Sequence, residues 1–304
     1  MYKKWLISLF AALCLLAGCG QRAVAASLVE VPDTPVPLAS MPEASGQKVE
    51  KSNKAEIDYS NTKDGYIMVR FTANTSKRLK VQVEGPRTTY TYDLPAGSWT
   101  TFPLSDGNGN YKATVLENAS GNKYAVLLSA SFKVALSSEF APFLRPNQYV
   151  NYASGAKNTL NKAAELTAGV ADPLLKVEKI YNYVVGALSY DTEKAANVKS
   201  GYLPSLDKVL ASGKGICFDY AALAAGMLRS QGVPCKLAVG YAGSEYHAWI
   251  HVWSEKSGWV NGVIQFNGST WKRMDPTFAS SSNNSQAMLD YIANGSNYSV
   301  KYLY

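Results

Sequence analysis

Hydrophobic and polar positions change period along this chain, and the changes divide it. From residue 55 to 137, apolar and polar residues alternate in short runs with turn signals between them. Tyr66-Ile67-Met68-Val69-Arg70-Phe71, Leu79-Lys80-Val81-Gln82-Val83-Glu84 and Tyr124-Ala125-Val126-Leu127-Leu128 are β-rich, and Gly85-Pro86, Asp106-Gly107-Asn108-Gly109 and Ser120-Gly121-Asn122 punctuate them. Short strands at this spacing predict an all-β sandwich over 55–137. Tyr90, Tyr92 and Trp99 are candidates for a carbohydrate-binding face, although alternating aromatics also serve ordinary sheet packing.

Beyond residue 138 the period lengthens. Asp172-Pro173 reads as an N-cap followed by proline at the first helical position, and Leu174, Val177, Tyr181, Val184 and Leu188 then fall on one helical face. Further helices are predicted over 156–168 and 206–211. Another starts at Ile216-Cys217 after the glycine-rich turn Gly213-Lys214-Gly215. It carries Ala221, Ala222, Ala224, Ala225 and Gly226, small residues that let neighbours approach a central helix. Strands are predicted at 236–241, 247–253, 263–266 and 271–275, with Asn267-Gly268 as a hairpin turn because both residues tolerate positive φ. A short helix at 286–292 and a Tyr-rich final strand complete an α+β region over 138–304.

The first 54 residues follow neither period. Lys3 and Lys4 precede an apolar run from Trp5 to Leu16, and Leu16-Ala17-Gly18-Cys19 supplies a small-residue cleavage site, so residues 1–19 read as a signal peptide. A cysteine at that point resembles the bacterial lipobox, which implies lipid attachment at Cys19 and an extracytoplasmic, membrane-tethered protein of the cell envelope. Residues 20–54, rich in Pro, Ala and Ser, read as a semi-extended linker. No later stretch is long and apolar enough to span a membrane.

Composition narrows the function classes. A length of 304 residues suits two domains. The formal net charge of +7 is unclustered, so nothing indicates nucleic acid. Cys14 leaves with the signal and Cys19 takes lipid, so Cys217 and Cys235 are the thiols of the folded part, and Cys235 reads as a packed free thiol. With His247 and His251 they make no metal-spaced set, and no cofactor is expected.

The chemistry-bearing residues stand in one order: Cys217, His247, Asp275. A thiol in the first turn of a helix meets unpaired N–H groups and the positive end of the helix dipole, which favour an anion such as a thiolate. His247 and His251 share one face of a strand about 13 Å apart, so one of them alone can reach Cys217. His247, at a loop-to-strand junction, is the candidate, and His251, mid-strand between Ile250 and Val252, reads as structural. Antiparallel neighbours would place Asp275, at the end of its strand, beside His247. Nucleophile, base and orienting carboxylate are the groups of a thiol acyl-transfer site. Tyr241, Tyr246 and Trp249 are candidates for the cleft wall.

Five blocks carry a family resemblance: Gly215-Ile216-Cys217-Phe218-Asp219-Tyr220-Ala221, Leu228-Arg229-Ser230-Gln231-Gly232-Val233-Pro234, Val239-Gly240-Tyr241, His247-Ala248-Trp249 and Asp275-Pro276-Thr277. In this order they resemble the transglutaminase-like core family. The resemblance implies a papain-like α+β core with Cys217 as nucleophile, His247 as general base and acid, and Asp275 as orienting carboxylate. Two departures stand out: an inserted loop near the cleft at 254–261, and histidine at position 251, where the family often has an acid. Three functions stay open. One is acyl transfer from glutamine carboxamides of proteins or peptides. The second is cysteine peptidase or amidase activity on envelope peptides. The third is a non-catalytic envelope binding module.

Overall fold

The computed structural model describes residues 41–255, 258–261, 263–266, 271–274 and 294–304. The sequence opens into eight strands: β1 (Val49–Lys51), β2 (Ala55–Asp58), β3 (Tyr66–Phe71), β4 (Leu79–Glu84), β5 (Thr89–Asp93), β6 (Thr100–Pro103), β7 (Gly109–Ser120) and β8 (Lys123–Val134). They form two four-stranded antiparallel sheets, ordered β1-β2-β3-β6 and β5-β4-β7-β8. In β4 the two-residue period is strict, with Leu79, Val81 and Val83 buried and the polar residues between them partly exposed. β3 departs from it: both faces are covered, and only Arg70 is not fully buried.

Folded structure reaches back into the expected linker. Gly46 N donates to Asp58 Oδ2 at 2.7 Å, Lys48 N donates to Ser60 Oγ at 2.8 Å, and β1 pairs with β2. These contacts are made by main-chain groups of an edge strand, which need no hydrophobic period to form. Tyr90 and Tyr92 do not make an open sugar-binding face: they are 3% and 1% exposed. Trp99 instead lies under the guanidinium of Arg70, 4.7 Å from its ring centroid.

The second half contains α1 (Lys157–Thr167), α2 (Pro173–Ala187), β9 (Ser189–Tyr190), α3 (Thr192–Asn197), α4 (Leu206–Ser212), β10 (Lys214–Gly215) and α5 (Cys217–Ser230). It continues with β11 (Cys235–Ala242), β12 (Glu245–Ser254), β13 (Gly258–Asn261), β14 (Val263–Phe266), β15 (Trp271–Met274) and β16 (Tyr298–Leu303). Asp172 caps α2 as expected, its Oδ1 accepting from Leu174 N at 2.8 Å. α1, α2, α4, β11 and β12 all pack on α5, whose residues from Asp219 to Arg229 are buried. Its small residues allow this closeness: a Cβ on Gly226 would lie 2.6 Å from Leu206 Cδ1. The helix 192–197 had no counterpart in the hydrophobic pattern because α3 buries no residue.

The main sheet of this half has the order β13-β12-β11-β16, and β14 pairs with β15 as a separate hairpin. One expectation changes here. Residues 258–261, expected in an inserted loop near the cleft, form β13, which pairs with the His251–Ser254 end of β12, away from His247. The ring of Trp259 packs on Phe140 and Phe143 at 5.8 and 5.4 Å, which anchors the stretch. β15, the strand that leads towards Asp275, has β14 as its ladder partner among the described residues. Asp275 itself, the Asn267-Gly268 turn and the helix expected at 286–292 lie outside the described residues.

The Tyr-rich tail joins the halves of the core. β16 pairs with β11, and Arg229 reaches it from α5 through Nη2 to Tyr304 O at 2.6 Å. Tyr304 packs edge-on against Tyr90, Tyr92 and Tyr149 at 5.6, 5.8 and 4.4 Å. Tyr149 in turn packs on Phe218 at 5.5 Å. A continuous line of rings therefore runs from β5 to the first turn of α5.

Candidate active site

The site is built around the start of α5. β10 pairs in parallel with β9, Gly215 opposite Tyr190, and Asp191 N donates to Gly215 O at 3.0 Å. The two glycines before Cys217 do different work. Gly213 ends α4 with φ of 60°, the left-handed conformation that favours glycine. Gly215 has no positive φ; a Cβ there would lie 2.6 Å from Asp219 Cβ, so close approach requires it. Ile216 is extended, and its carbonyl accepts from Asp219 N and Tyr220 N at 2.9 and 3.1 Å, which starts the helix. Its side chain cannot cap. The Asp219 carboxylate takes that place in part, Oδ2 accepting from Ile216 N at 2.9 Å.

Cys217 is thereby held as the first residue of α5, half-buried with a free thiol. Tyr190 on β9 and Tyr246 on β12 both interact electrostatically with it. Burial is the main cause that raises both phenol pKa values. Tyr241 and Tyr246 are 42% and 60% exposed, with ring centroids 5.5 Å apart, so they present open aromatic surface.

His247 follows Tyr246 directly and is buried. Side chains alternate along β12. Ala248, Ile250 and Val252 join the hydrophobic core, while His247, Trp249 and His251 alternate with them along the strand. His247 stacks on Trp249 at 6.1 Å between centroids, and Trp249 Nε1 donates to His251 Nε2 at 2.9 Å. His251 is thus buried and hydrogen-bonded to Trp249. Trp249, a candidate for the cleft wall, is only 1% exposed and packs on Tyr298, so it contributes no open surface. Burial pushes the thiol of Cys235 up to about 12, and both Cys217 and Cys235 are free.

Sequence reasoning missed the groups that hold the helix start. Lys194 and Tyr202 converge on Asp219, Lys194 Nζ lying 2.6 Å from Asp219 Oδ2. Asp219 itself carried a signal, an acid three residues after the N-cap position. Lys194 and Tyr202 come from α3 and the loop after it and had none.

No curated protein matches the sequence. Among solved structures, the periplasmic domain of TgpA from Pseudomonas aeruginosa aligns at 15% identity and a TM-score of 0.36, over 79% of this chain and 77% of that one. A Cytophaga hutchinsonii protein provisionally called a cysteine protease aligns at 15% identity and a TM-score of 0.35, over 76% and 68%. Red sea bream transglutaminase aligns at 14% identity and a TM-score of 0.30, over 75% and 53%. The family model of the Transglutaminase-like superfamily matches residues 161–262, the stretch that contains α5, β11 and β12, and this part of the chain is a transglutaminase-like core.

Proposed function

We propose that this protein is an extracytoplasmic thiol acyltransferase with Cys217 as nucleophile, His247 as general base and acid, and Asp275 as the carboxylate that orients the imidazole. The observation that carries the reading is the placement of Cys217: a half-buried free thiol on the first residue of a buried central helix, against which the strand of Tyr246 and His247 packs. The N–H groups of the first two residues of such a helix have no carbonyl partner within it and are available to a developing negative charge.

His247 takes the thiol proton, and the Cys217 sulfur attacks the carbonyl carbon of a glutamine carboxamide. The tetrahedral oxyanion accepts from the Cys217 N–H. Collapse breaks the C–N bond, ammonia departs with the proton held on His247, and a thioester remains. A primary amine such as a lysine then attacks the thioester carbon. Its proton passes through His247 to the released sulfur, and an isopeptide bond results; water in place of the amine gives deamidation. Tyr241 and Tyr246 wall the cleft. Lipid on Cys19 and the stretch after it hold the enzyme at the membrane surface, and the strands of 55–137 form a β-sandwich that spaces or positions the substrate.

The test incubates the purified protein with glutamine-containing and envelope peptides and a primary amine, read by mass spectrometry. Cys217→Ala abolishes amine incorporation, and His247→Ala lowers it by about 10²–10⁴-fold. Cys217-dependent cleavage without amine would establish the peptidase alternative. An inert thiol with no product from any peptide would leave a binding module.

A further inference from the structure

Asp219 is a buried charge for which the proposed chemistry has no use. It is 0% exposed, two residues past Cys217 in the first turn of α5. Its Oδ2 accepts from Lys194 Nζ at 2.6 Å and from Ile216 N at 2.9 Å, and its Oδ1 accepts from the Tyr202 hydroxyl. Lys194 closes the triangle, donating to the Tyr202 hydroxyl at 2.6 Å. Burial, reinforced by Asp219, raises the Tyr202 phenol pKa, so this hydroxyl keeps its proton and stays a donor. A buried carboxylate is costly unless paired and hydrogen-bonded, and a Ser or Thr could cap this helix without that cost. The partners also come from an unexpected place. α3 buries no residue, and residues 195–201 are exposed. The excursion is fastened to the nucleophile's helix chiefly by these two side chains.

We propose that Lys194, Asp219 and Tyr202 form a positioning unit for Cys217. Asp219 locks the helix start through Ile216 N–H, and Lys194 cancels the carboxylate charge that would otherwise oppose a thiolate two residues away. Tyr202 fixes both groups in one geometry. Among the described residues, Tyr190 and Tyr246 are the other titratable groups that interact with the thiol, with Glu245 acting on Tyr190 and His247 next to Tyr246. The unit rests on the reading of Cys217 as a reactive thiol and is independent of which acyl transfer follows.

The test measures alkylation of Cys217 by iodoacetamide at pH 7 in the full chain, resolved by peptide, with folding followed by circular dichroism. Lys194→Met leaves the buried carboxylate without its cation and slows alkylation by about tenfold or more. Asp219→Asn keeps an acceptor for Ile216 N–H and leaves a cation, so the rate holds or rises. The double variant returns to within about threefold of the unaltered protein, since both charges are gone. A purely structural pair would not show that rescue. Should Lys194→Met fold poorly, Tyr202→Phe removes one donor and slows alkylation by about threefold. Equal slowing in both single variants and the double, or no change in any variant, would overturn the unit. Alkylation that follows the expected order in a protein turning over no peptide would instead overturn the acyl-transfer reading and leave the unit standing.

Discussion

Replacing Arg229 with methionine should destabilise the protein by about 2–4 kcal/mol, although Arg229 touches no part of the site. It is 1% exposed, and its guanidinium is spent on three carbonyls: Nε to Cys235 O at 2.8 Å, Nη1 to Arg145 O at 2.8 Å and Nη2 to Tyr304 O at 2.6 Å. One side chain therefore ties the end of α5 to β11, to the segment before α1 and to the end of β16. Hydrogen bonds from a charged donor are worth about 1.5–3 kcal/mol each, a gross of roughly 5–9 kcal/mol. Two terms reduce the net. Removing a buried cation recovers several kcal/mol of desolvation, the same cause that pulls the Arg229 pKa down. Tyr304 O also keeps a second donor, Leu237 N at 2.9 Å. Urea denaturation followed by circular dichroism reads the result. With a slope of about 3 kcal/mol per molar urea for a chain of this size, the midpoint falls by about 1 M. Arg229→Lys keeps the charge but not the planar fork, and should lose most of the same stability. A loss under about 1 kcal/mol in Arg229→Met, or full recovery in Arg229→Lys, would refute the reasoning.

Three further outcomes are expected. A Cβ on Gly240 would fall on Ser299 O of β16, so Gly240→Ala should cost about 1–3 kcal/mol and speed amide hydrogen exchange across Tyr298–Leu303; unchanged exchange there would refute the contact. Peptide-resolved alkylation at pH 8 should label Cys217 and spare Cys235, whose thiol is pushed up to about 12, until denaturant exposes it. Burial against Phe143 and Trp259 brings Lys236 down to about 8, although Glu139 opposes the shift. Its folded value lies below the unfolded value of about 10.4, so the unfolded chain holds more protons between the two, and the penalty is full below 8 and fades as pH rises through that window. The protein should therefore gain stability relative to Lys236→Met between pH 7.5 and 10, by less than ~1.4 kcal/mol per pH unit because the ammonium is partly solvated. A constant difference in melting temperature between the two proteins would contradict this.

Much of the fold was legible where local rules and burial agree. β3, β4 and β14 have the bounds that their alternation predicts, and α2 begins where Asp172-Pro173 places it. The order of Cys217 before His247 was equally plain; Cys217 opens its helix as expected, whereas β12 begins two residues before His247, which sits inside the ladder rather than at the junction. β1, α3 and β13 were not legible as elements. β1 is held by main-chain pairing at an edge, α3 buries nothing, and β13 depends on Trp259 meeting Phe140 and Phe143, more than a hundred residues earlier in the chain.

The sequence by itself determined the period of each element, the glycines and small residues around Cys217, and the family resemblance of the stretch 215–277, since these depend on neighbours in the chain. Tertiary structure alone decided which surfaces close. It buried Trp249 and left Tyr241 and Tyr246 exposed, turned the tail into a strand beside β11, and gathered Lys194, Asp219 and Tyr202 under the nucleophile. The physical reason is range: hydrophobic period and capping act over a few residues, whereas a buried charge finds its partner in whatever segment the packing brings to it.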